Sequence, residues 1–84
     1  MTREEIFAVI KSYIYEIIAG AQGKEILETN SMRDFGSDSL EAVEVVSRSM
    51  KQLRIKVPRT ELLEVHDLEG LLDVFEKAIT AKTQ

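Results

Sequence analysis

Apolar residues return at gaps of three and four along three separate stretches of this chain. The first runs Ile6, Ile10, Tyr13, Ile14, Ile17 and Ile18, widened by Phe7 and Val9. The second runs Leu40, Val43, Val46, Met50 and Leu53, and the third Leu68, Leu71, Leu72, Phe75 and Ile79. Such spacing gathers side chains on one face of an α-helix. A helix with one apolar face must bury it, so three of them demand a bundle around a shared core. Local signals bound each helix. Thr2 and Glu5 fit a capping box and Gly20 reads as a stop, which predicts a helix over 3–19. The second helix spans 39–53, with Glu41, Glu44, Arg48 and Lys51 on its polar side and Glu44 and Arg48 spaced to pair. Pro58 can open a helix but not continue one, so Arg59 to Glu64 reads as a short helix. Asp67 is an N-cap for the last helix, and residues 82–84 fray. No strand pair, repeat or linker is visible. The expected fold is all-α: a small four-helix bundle of three long helices and one short one, in a single domain over 1–84.

Residues 20–37 keep no period, and so long a loop in a small domain is either functional or pinned down. Ile26, Leu27, Met32 and Phe35 read as its pins, Ser31 to Phe35 as one helical turn, and Gly36 as a sharp bend. A core built from 84 residues is too small to enclose a large active site. Function therefore belongs on the surface, on a grafted group or in a small adaptable core. The absence of cysteine removes disulfides, thiolate metal sites and cysteine nucleophiles, and fits a reducing cytoplasm. The single histidine, His66, builds no metal cluster or triad and reads as exposed before a helix cap. No apolar run is long enough to span a bilayer, and the first residues lack a signal peptide's pattern. Net charge is -4 but uneven: Val45 to Thr60 holds five basic residues and no acidic one, against fifteen acidic and six basic elsewhere. That balance suits protein partners better than nucleic acid or a membrane, and nothing in it calls for an obligate oligomer, so a monomer is expected.

Phe35-Gly36-Ser37-Asp38-Ser39-Leu40 stands where the long loop meets the second helix. Ser39 falls at the helix start, where unpaired N–H groups and the helix dipole favour a negative group such as a phosphate. Leu40 reads as pointing into the bundle and fixing the serine. Asp38 reads as capping the helix and helping a modifying enzyme hold its metal ion. Taken alone, Asp-Ser-Leu is better explained as a helix cap, by Asp38 or Ser39.

Gly36-Ser37-Asp38-Ser39-Leu40 resembles the Gly-x-Asp-Ser-Leu attachment motif of acyl carrier proteins. The resemblance extends over the long loop, the short helix after Pro58 and the capped last helix. It implies that Ser39 receives 4'-phosphopantetheine from coenzyme A through a phosphopantetheinyl transferase, and that the arm's thiol holds an acyl group as a thioester. It implies a freestanding carrier that serves acyltransferases and ketosynthase-type enzymes and is not itself an enzyme. In line with that, no nucleophile–base pair, metal set or phosphate-binding glycine loop is visible. Val43, Val46, Ile55 and Leu72 are candidates to line a space that shelters an acyl chain, against the plainer reading that they are core.

Carriers of fatty acid synthesis usually present acidic second and third helices. Here Glu41 and Glu44 fit that pattern, and Arg48, Lys51, Arg54, Lys56 and Arg59 do not. Pro58-Arg59-Thr60-Glu61-Leu62 is similar to carriers of polyketide clusters that build β-branches. Those donor carriers bring acetyl or a related unit to a synthase resembling HMG-CoA synthase. The acceptor carriers often bear a Trp six residues after the modified serine; Val45 stands there, so a donor role fits better. The expected partner face runs through Glu41, Glu44, Arg48, Arg54 and Arg59. A fatty acid synthesis carrier, an amino-acyl carrier and a non-catalytic interaction subunit are the alternatives.

Overall fold

Both halves of the Thr2–Glu5 capping box form, with the Thr2 N–H donating to Glu5 Oε1 (2.9 Å) and the Glu5 N–H to Thr2 Oγ1 (3.2 Å). They open α1 (Arg3–Ile17), the first element of a computed structural model that describes residues 1–83. Next come α2 (Ser39–Leu53), the single turn α3 (Arg59–Leu62) and α4 (Leu68–Thr83). Short 3-10 turns at Ala19–Ala21 and Met32–Phe35 punctuate the long loop. Among the described residues there is no strand, and no helix is long and apolar enough to cross a membrane. The all-α bundle expected from the spacing is what forms.

The first and third stripes pack as expected. Ile6, Ile10 and Ile14 on α1 and Leu68, Leu72 and Phe75 on α4 are buried, and Val45 and Leu53 face them from α2. Buried Ser49 satisfies its hydroxyl by donating to the Val45 carbonyl one turn back (2.7 Å).

The second stripe does not pack as expected. Leu40 is 79% exposed and Val43 60%, so neither points into the bundle. The inward face of α2 is Val45, Ser49 and Leu53, with Ala42, Val46 and Met50 half-buried. Those positions also repeat at three and four, but a serine and an alanine disguise them. Three boundaries also move. α1 stops before Gly20 because Ile18 turns extended, donates its N–H to the Ile14 carbonyl (2.8 Å) and sinks its side chain into the core. α3 ends at Leu62 rather than Glu64. α4 continues through Lys82 without fraying there, and Gln84 lies outside the described residues. Between α2 and α3, buried Ile55 and Val57 alternate with exposed Lys56 and Pro58, so one side of the connection lies on the core.

The long loop is pinned by Ile26 and Phe35, with Met32 half-buried; Leu27, expected to join them, is 49% exposed. Polar ties hold the rest. The Leu68 and Glu69 N–H groups at the start of α4 donate to the loop carbonyls of Asn30 (2.9 Å) and Glu28 (2.8 Å). Asp67 completes that helix start by accepting from the Gly70 N–H (2.8 Å). Arg3 donates to Glu28 (2.8 Å), Asp73 (2.8 Å) and Glu76, which joins α1, the loop and α4 at one guanidinium.

Candidate functional site

The loop delivers the serine through a short chain of constraints. The Asp34 carboxylate accepts from the Ser31 N–H (2.9 Å) and the Asn30 side-chain amide (3.1 Å), closing the 3-10 turn on itself. Those donors, the Ser31 backbone first, hold its pKa below the ordinary aspartate value. Gly36 then turns the chain with φ 78°, a left-handed conformation that L side chains avoid. Asp38 caps α2: its Oδ1 accepts from the Glu41 N–H (2.8 Å), and Glu41 Oε1 accepts from the Asp38 N–H (3.2 Å). Ser39 follows as the first residue of α2 and is exposed.

The cap is therefore Asp38, and Ser39 is left over from that work. Its hydroxyl sits at a helix N-terminus, where a phosphate is electrostatically welcome. Leu40, read as the residue that fixes the serine from below, instead stands in solvent beside it. What orients Ser39 is the capping box and the turn before it.

An open groove runs from Ser39 between α2 and α3. Met32, Val46, Met50, Leu62 and Leu71 supply apolar lining, and Arg33, Arg59 and His66 supply polar lining. Of the four residues read as candidate acyl lining, Val43 and Val46 border this groove, while Ile55 and Leu72 are core. An arm with amide groups and an apolar chain matches such a surface, so the residues present fit a phosphopantetheine on Ser39. The phosphate would lie at the start of α2, and the arm would supply a thiol that this chain, lacking cysteine, does not have.

The expected partner residues divide. Glu41 is half-buried and engaged in the capping box. Arg48 is held between Glu44 (2.8 Å) and Glu16 (3.5 Å). Arg54 and Arg59 are exposed and enter no ion pair among the described residues. Arg54 sits there as the left-handed C-cap of α2 (φ 57°). The reading by sequence missed Leu63, 71% exposed on the far side of the groove, and the exposure of Leu40 and Val43. For Leu40 and Val43 the nearness to Ser39 in sequence was a signal, since apolar groups flanking a surface serine suit a partner as well as a core; Leu63 carried no such signal.

The family model described as "Phosphopantetheine attachment site" matches residues 12–75. The "Polyketide biosynthesis acyl-carrier-protein AcpK" of Bacillus subtilis (strain 168) is 27% identical over 88% of this chain and 90% of its own length. The "Acyl carrier protein" of Thermotoga maritima is 28% identical over 93% of this chain and 96% of its own. Among solved structures, a chain of the "Crystal Structure of the Curacin Biosynthetic Pathway HMG Synthase in Complex with Acetyl Donor-ACP" superposes with a TM-score of 0.79. It shares 29% identity, over 89% of this chain and 96% of that one.

Proposed function

The chain belongs to the phosphopantetheine-attachment family, whose members carry a covalent 4'-phosphopantetheine, and we propose that Ser39 is its attachment point and that it serves polyketide assembly as an acetyl-donor carrier for β-branching. One observation carries the attachment: Ser39 is exposed at the start of α2, with the cap supplied by its neighbour Asp38. Loading joins Ser39 Oγ to the phosphorus of coenzyme A that bears the pantetheine and breaks the diphosphate bond behind it, releasing adenosine 3',5'-bisphosphate with the bridging oxygen. The serine proton leaves to a base on the transferase. The product is a phosphodiester whose negative charge faces the N-terminus of α2. An acyl group on the arm's thiol is then held at high local concentration wherever the carrier docks.

The donor role is supported by the likeness to a chain in an HMG synthase complex with an acetyl donor carrier. The two coverages make that chain about as long as this one, the size of the carrier and not of the synthase. The basic residues from Arg48 to Arg59 support it too, since a fatty acid carrier presents acid there. In this reading Leu40, Val43 and Leu63 meet the partner around its active-site mouth. Arg54 and Arg59 set the docking angle, and Glu41, Glu44 and Arg48 act mainly through their own intramolecular bonds. The cytoplasm, where coenzyme A and transferase meet, is the compartment this reading requires.

The test has two stages. Wild type and Ser39→Ala are incubated with coenzyme A and a phosphopantetheinyl transferase, and intact mass is measured; only wild type gains the arm. The acetylated carrier is then offered to a β-branching synthase and to a fatty-acid ketosynthase. Faster acetyl transfer to the synthase, slowed by reversing Arg54 and Arg59 to Glu, is the expected result. Preference for the ketosynthase, unmoved by the reversal, would replace the donor reading with a fatty acid carrier.

A further inference from the structure

We propose that Gly20 is a positioning residue for the modification of Ser39, an inference that rests on the attachment reading above. The two 3-10 turns of the long loop meet backbone to backbone. A Cβ placed on Gly20 would stand 2.0 Å from the Phe35 carbonyl oxygen and 3.0 Å from its carbonyl carbon. Only a hydrogen fits there, so any other residue at position 20 must push one turn off the other.

Neither turn is free to retreat. Gly20 lies between Ile18 (1% exposed) and Ala21 (0%), and Phe35 is itself only 6% exposed. All three are part of the hydrophobic core. Beyond Phe35, the Gly36 N–H donates to the Arg33 carbonyl (2.9 Å) and the Ser37 N–H to that of Met32 (3.4 Å). The turn and its exit therefore move as one piece. Only Gly36 and Ser37 separate it from Asp38, the cap that opens α2. A displaced Phe35 carbonyl thus shifts the approach to Ser39 while leaving the α2 and α3 docking surface in place. Phosphoryl transfer needs the serine oxygen in line with phosphorus, and a misplacement of about 1 Å can cost on the order of 100-fold.

Gly20→Ala and wild type are loaded from coenzyme A by a purified phosphopantetheinyl transferase, with intact mass as the readout. Ile10→Val serves as the control, thinning the core at the middle of α1 away from the two turns. The expected result is a fall in kcat of about tenfold or more for Gly20→Ala, with KM for the carrier little changed and Ile10→Val loading like wild type. Amide shifts should move at Gly36, Ser37, Asp38 and Ser39 more than in α4. Should Gly20→Ala fail to fold, Phe35→Leu releases the same turn from its other side and must lower kcat as well. A Gly20→Ala protein, or in its place Phe35→Leu, that loads like wild type overturns the proposal. So does an equal loss in Ile10→Val. A wild type that takes no arm, or a Ser39→Ala protein that does, removes the attachment reading instead.

Discussion

Where α1 and α4 meet, Arg3 alone reaches Glu28, Asp73 and Glu76, and loop carbonyls satisfy the first N–H groups of α4. Between α2 and α3, Leu40, Val43 and Leu63 stand in water, and α3 is one turn long with no buried residue. The first region closes the core and ties it across three segments. The second leaves apolar surface uncovered around Ser39, the serine proposed above to carry the arm. Exposed apolar surface gives nothing to folding, so the closed side must hold the bundle while the open side stays available to partners.

The largest expected contrast comes from deleting an aromatic on one side and an aliphatic on the other. Phe75→Ala, at a position with 0% exposure, should cost about 3–5 kcal/mol in urea unfolding. Leu63→Ser, at 71% exposure, should change stability by no more than about 0.5 kcal/mol. Comparable losses would mean that the groove is as much a part of the folding core as α4 is.

A smaller effect is expected at Arg3. Its carboxylate partners, Glu28 foremost, raise its pKa and keep the guanidinium charged. The partners are partly solvated, so Arg3→Gln should cost about 1 kcal/mol, and less in high salt. Hydrogen exchange should speed at Leu68 and Glu69, the amides that the loop caps, and stay unchanged at Ala42 in α2. Faster exchange at Ala42 to the same degree would erase the division between the two sides.

The smallest effect concerns acid. The folded pKa of Asp34 lies below the ordinary aspartate value of 3.8. Its ionised form therefore adds stability that is complete above 3.8 and is lost as pH falls through the lower folded value. The Ser31 amide, which donates to that carboxylate, should lose protection only below the ordinary aspartate range and hold steady through neutrality. Asp34→Asn should flatten the dependence.

Much of this was legible in the chain. Thr2 with Glu5, Asp38 and Asp67 cap helices as their residue types require, because capping involves only residues three positions apart. The stripes of α1 and α4 were unambiguous because each has one apolar face. The candidate site was legible as a motif and a place in the chain. Its setting was not: Leu40 was read inward and stands outward, and Glu41, read as a partner contact, is also half of the cap.

The sequence by itself determined that there would be helices, where most of them begin, and that Ser39 would stand at a helix start. These follow from local hydrogen bonding and from single-faced periodicity, neither of which needs a distant residue. Only the tertiary structure decided which face of α2 turns inward. That helix holds Leu40, Ala42, Val43, Val45, Val46, Met50 and Leu53, enough apolar groups for two phases. The outcome depends on how its surface meets α1 and α4, where Val45, a self-satisfied Ser49 and Leu53 fit against the isoleucines. Likewise Ile18 could have prolonged α1, but burying its side chain required the chain to turn extended one residue after Ile17. Burial depends on residues far away in the chain, and no local pattern carries that information.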